Sequence, residues 1–152
     1  MRAIAVKDRL VERMPGGWTY SQLADATTGA RQGLLVRGVC DAEGKVFAHR
    51  HDVEQITVFQ SGEGYMAVGK DIVAVNAGSV VVVPAGTPHG VWNPNAKKLE
   101  YLAFCPATEV QIQYLPPEEA AVMERYMRLF YNAGNIAIRT TPIALAGRGA
   151  DI

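Results

Sequence analysis

The chain has 152 residues and three histidines, and two of them, His49 and His51, stand two apart in "FAHRHDVEQITVFQSGEG". In an extended strand, residues i and i+2 share a face, so the two imidazoles project together while Arg50 points away. Side by side, they are able to grip one divalent ion from adjacent positions. The third histidine, His89, lies in "PAGTPHGVWN". Three neutral nitrogens on one side of an ion leave its other positions open to an oxygen ligand, water or substrate. A structural zinc site is normally closed by four protein ligands, so an open set points to chemistry or ligand capture.

A further ligand is sought beside these histidines, and Glu54 and Gln55 are adjacent candidates. Strand alternation carries Gln55, Thr57 and Phe59 to one face, and Glu54, Ile56 and Val58 to the other. Both faces contain bulky apolar residues, so polarity alone does not choose between them.

The spacing of these residues resembles the two signatures of the cupin family. The second signature, G-x5-P-x-G-x2-H-x3-N, is met by Gly78, Pro84, Gly86, His89 and Asn93. The first, G-x5-H-x-H-x3,4-E-x6-G, is met by His49, His51 and Gly62. Gly44 lies one residue closer to His49 than that pattern asks, and its acidic position falls on Gln55. The resemblance implies an all-β fold, an antiparallel double-stranded β-helix of the jelly-roll type, with a metal in the mouth of the barrel. It implies His49, His51, Gln55 and His89 as the metal ligands, and one divalent transition ion (Fe, Mn, Ni, Co or Zn) as the cofactor. It also implies a small-molecule enzyme, with a dioxygenase as the first expectation. The other reactions are isomerase, lyase or decarboxylase chemistry, in which a Lewis acid stabilises an enolate. The competing class is a non-enzymatic module that binds or senses a small anion through the metal.

A neutral amide in place of the glutamate has a consequence. Three imidazoles and a carboxamide leave a divalent ion its full charge, so the site should hold metal less tightly and attract anionic or oxygen-chelating ligands more strongly. Tyr65, Tyr101, Trp92 and Arg37 lie on strands near the signatures and are candidates to face the barrel interior, although packing or a surface position is the default role of each. Asn93 is expected to stabilise the barrel. No acid–base pair stands out, and Cys40 and Cys105 have no neighbouring histidine in sequence to activate a thiol.

Holding such a site requires strands. From about residue 18 to 105 the chain is a series of short apolar runs separated by Gly, Pro, Asn and Asp, including 33–40, 55–60, 64–69, 71–76, 79–84 and 98–105. Each has the length and β-branched content of a strand. Many strands joined by tight turns, with no helix between them, predict an antiparallel sandwich or barrel. Beyond "LPPEE", residues 118–134 place Val122, Met123, Tyr126, Met127 and Phe130 at helical spacing, which predicts one C-terminal helix with that stripe buried. Gly134 suits the stop, and the apolar tail to residue 152 is expected to add a short strand or to pack on a second subunit. The whole chain, 1–152, is expected to form one domain.

Fifteen basic and fifteen acidic residues cancel, which gives no reason to expect a nucleic-acid partner or an anionic membrane. The charged N-terminus "MRAIAVKDRL" is unlike a signal peptide, and no apolar run approaches the roughly 18–20 residues of a membrane span. Two lone cysteines fit a reduced, cytoplasmic setting. A homodimer is expected, with the strand-like "RAIAV" and the apolar tail as the segments available for exchange.

Overall fold

The computed structural model describes residues 3–133. Its strands form two antiparallel sheets. One sheet contains β1 (Glu12–Met14), β2 (Trp18–Ala24), β3 (Leu34–Cys40), β5 (Gln55–Ser61), β8 (Val80–Val83) and β10 (Leu99–Cys105), in the order β1-β2-β3-β10-β5-β8. The other contains β4 (Lys45–Arg50), β6 (Glu63–Val68), β7 (Asp71–Asn76), β9 (His89–Trp92) and β11 (Gln113–Tyr114), in the order β11-β4-β9-β6-β7. From β3 onward the chain crosses between sheets at nearly every connection. That winding makes a jelly roll and brings residues distant in sequence onto one wall.

One apolar core fills the space between the inner faces, with Phe59, Val81 and Leu99 from one sheet meeting Met66, Val68 and Val91 from the other. Tyr101 lies over Gly38 on the neighbouring strand, and a Cβ at position 38 would fall 2.1 Å from its ring. Only glycine leaves room for that ring.

The two outer faces differ. The helix α1 (Pro117–Asn132) covers the five-stranded sheet, with Met123 and Met127 buried against Ala48, Ala67 and Trp92. Burying a side chain of this size contributes about 1.5–3 kcal/mol. Pro117 opens the helix and Glu118 and Glu119 occupy its first turn, where they suit the exposed N–H groups and the dipole. The Lys45 ammonium reaches both Glu124 carboxylate oxygens at 2.9 Å and ties the helix to β4.

Several expectations change here. Tyr65 and Trp92 pack under the helix on the outer face, not in the barrel interior. They misled because the middle strands of this sheet are buried on both sides, so alternation carries no polar mark. Arg37 also faces outward, where it pairs with Glu100 at 2.7 Å. The buried stripe of the helix is narrower than its spacing suggested, for Val122 and Tyr126 are exposed. "RAIAV" forms no strand among the described residues, and Val6–Asp8 is a single 3-10 turn. Gly134 and the tail lie outside the described residues.

Candidate metal centre

His49 enters the inner face through an irregularity. β4 pairs with β9 at Val46–Val91 and again at His49–His89, and the register shifts between the two pairs. Val46 belongs to the inner core and Ala48 to the cluster under α1, so the bulge at Phe47–Ala48 returns His49 to the inner side. His51 lies just beyond the strand. It is held there by its backbone carbonyl, which accepts from Gly86 N–H at 2.7 Å. Gly86 takes a φ of +76°, a conformation glycine adopts without penalty.

The three rings converge. Ring centroids lie 4.3 Å apart for His49 and His89, 4.8 Å for His51 and His89, and 5.9 Å for His49 and His51. One nitrogen from each lies within 4.8 Å of the others, and all three side chains are buried. Each Nδ1 faces a backbone carbonyl, of Phe47 at 2.8 Å, Val53 at 2.9 Å and Thr87 at 2.9 Å. A carbonyl only accepts, so each Nδ1 carries the proton and donates it. Each Nε2 is then left as a lone pair, which is the tautomer a metal requires.

Gln55 completes the set on the facing sheet. Its Nε2 donates to Thr57 Oγ1 at 2.8 Å, which turns Oε1 toward the histidines, 3.1 Å from His51 Nε2. With the His51 proton on Nδ1, two lone pairs face each other across that gap. A cation held by both relieves the conflict. His89 Nε2 is buried with no hydrogen-bond partner among the described residues, a costly state for a polar atom unless something is meant to occupy it. Burial, helped by the neighbouring His49, pushes the His89 pKa down to about 3, and burial also lowers that of His49. Both rings therefore stay neutral near pH 7, as ligation requires. The donor set fits a divalent transition ion.

The sequence reading placed the three histidines and Gln55 together, and the structure places them on one cavity. Glu54, the alternative ligand, is exposed just before β5. Thr57 was not foreseen, although its position two residues after Gln55 on the same face was visible. The carbonyls that fix the histidine tautomers had no sequence signal at all.

The cavity holds about 60 Å³ and extends from the histidines toward Tyr20 and Tyr101. Among the described residues, no Asp, Glu, Lys or Arg side chain lines it. Burial raises the pKa of both tyrosines and pushes the lining Cys105 thiol up to about 11, so these groups stay neutral and the thiol is a poor nucleophile. Cys40, buried behind the wall, is pushed up to about 12.

Residues 39–105 match the family described as the cupin domain. A search of curated proteins finds no match. Among solved structures, the chain is similar to the polyketide cyclase RemF from Streptomyces resistomycificus, with a TM-score of 0.68 and 20% identity over 94% of this chain and 99% of that one. It is similar to a cupin-2 domain from Rhodospirillum rubrum, with a TM-score of 0.68 and 22% identity over 82% and 87%. A predicted oxalate decarboxylase from Thermotoga maritima aligns with a TM-score of 0.62 and 20% identity over 75% and 100%. At these identities the likeness shows the fold alone, and no helix among the described residues is long and apolar enough to cross a membrane.

Proposed function

We propose that this chain, whose residues 39–105 are a cupin domain, is a metal-dependent enzyme for a small oxygen-chelating or anionic substrate. His49, His51, His89 and Gln55 would hold one divalent transition ion. The observation that carries this reading is the buried Nε2 of His89, which has no partner and faces two other imidazoles. When bound, such an ion supplies Lewis acidity toward negative charge developing on oxygen and, if redox-active, electrons for dioxygen chemistry.

The chain's own residues supply the rest. The Phe47, Val53 and Thr87 carbonyls hold the imidazoles in the ligating tautomer. Thr57 holds the amide of Gln55 with its oxygen inward. The apolar walls exclude water, which strengthens every electrostatic interaction at the mouth. Dioxygenase chemistry and enolate-type isomerase, lyase or decarboxylase chemistry both suit this arrangement, because no lining carboxylate or lysine marks out a dedicated proton carrier. That same lack supports a second reading, a non-catalytic module that captures a small anion.

Metal analysis of untagged protein tests the first step, with about one equivalent of transition metal expected and none in His49→Ala. Turnover or oxygen uptake with small chelating acids would then favour the enzyme, whereas binding without turnover would favour the capture module.

A further inference from the structure

We infer that the cavity accepts a small monoanion, a short chelating acid with an uncharged remainder. It would reject acids with a second charge away from the metal and would reject aromatic chelators. This inference rests on the metal reading above and narrows its substrate class.

Charge is the first argument. Three imidazoles and a carboxamide add no negative charge, so the ion alone would balance an incoming carboxylate. Past the histidines the wall is Val36, Met66, Val91 and Ala103, with neutral tyrosines beyond. Among the described residues, a second carboxylate reaching along that wall would meet no cation. An unpaired carboxylate in apolar surroundings is heavily penalised.

Size is the second argument. An engineered apolar cavity of about 150 Å³ takes one benzene ring. This cavity holds about 60 Å³, so a short acid such as pyruvate or glycolate suits it better than a catechol ring or a fused aromatic system.

The rim permits a direct test. Ile112 lines the cavity and is 39% exposed, so a charged side chain there can reach solvent without disrupting the core. The full-length protein would be loaded with Co(II), its metal content measured, and ligands titrated by calorimetry and by the visible Co(II) spectrum. The probes are pyruvate, α-ketobutyrate, α-ketoglutarate and catechol. Pyruvate and α-ketobutyrate are expected to bind at least about tenfold more tightly than the other two. Ile112→Lys is expected to narrow the gap between pyruvate and α-ketoglutarate by about tenfold.

Failure to take up metal would overturn the metal reading and this inference with it. Metal uptake with α-ketoglutarate or catechol bound as tightly as pyruvate would overturn this inference alone. So would metal-loaded protein that binds none of the four, or an Ile112→Lys variant with unchanged selectivity.

Discussion

The two ends of β9 hold buried polar side chains with opposite accounts. At one end His89 is 2% exposed and its Nε2 has no partner. Just past the other end Asn93 is wholly buried and satisfied on both sides of its amide. Its Nδ2 donates to the carbonyls of Asp41 and Lys97, both at 2.8 Å, and its Oδ1 accepts from Asn95 N–H at 3.1 Å. Both residues occupy signature positions, and burial does not tell them apart. Their hydrogen-bond accounts do. Asn93, with its bonds complete, holds the fold, whereas the open nitrogen of His89 stands among two other imidazoles, where an ion would complete it.

The largest effect should separate the two ends outright. His89→Ala should weaken metal binding at least about hundredfold, read by titration against a chelator, while the metal-free protein keeps or gains stability. Asn93→Ala should do the reverse. It removes the donor that the Asp41 and Lys97 carbonyls share and should cost about 1–3 kcal/mol in denaturant unfolding, with metal stoichiometry unchanged in the folded fraction. If both substitutions cost stability and spare the metal, the contrast fails.

Gln55→Glu sharpens the open end. Added negative charge at a ligand should tighten metal binding about tenfold and weaken anionic ligands in step, whereas Glu54→Gln should leave both unchanged. Equal effects from the two variants would remove Gln55 from the site.

A smaller effect is expected with pH. The pKa values of His49 and His89 are lower in the folded protein than in the unfolded chain, so below about pH 6.5 the unfolded chain binds more protons. The metal-free protein should lose melting temperature as pH falls from there toward about 3, and His89→Gln should flatten that slope. A slope unchanged by the substitution would mean that His89 is not the group refusing protons.

How much of this was readable beforehand follows the same contrast. The histidine spacing and the G-x5-P-x-G-x2-H-x3-N pattern, through their resemblance to the cupin signatures, point to the three histidines that the structure gathers on one cavity. That Gln55 and Glu54 point to opposite sides follows from strand alternation, whereas only the family resemblance says which of the two meets the cavity. The outward face of Trp92 follows from alternation once His89 is turned inward, but that of Tyr65 had no such anchor, because β6 is buried almost throughout and only the docked helix decides which face is which. Nor did the helix show that Val122 and Tyr126 would be exposed, since helical spacing gives a stripe but not the width of the surface it meets. The backbone carbonyls that set the histidine tautomers are invisible in a string of side-chain letters.

The bulge at Phe47–Ala48 makes this strand sensitive to counting. Strict alternation over the same residues, without the bulge, would aim Arg50 into the cup and both imidazoles beneath the helix. The H-x-H lettering would survive untouched. A strand one residue shorter between Val46 and His49 would need no bulge, because His49 would then share the face of Val46. The lettering alone therefore does not say on which side of the sheet such a pair falls.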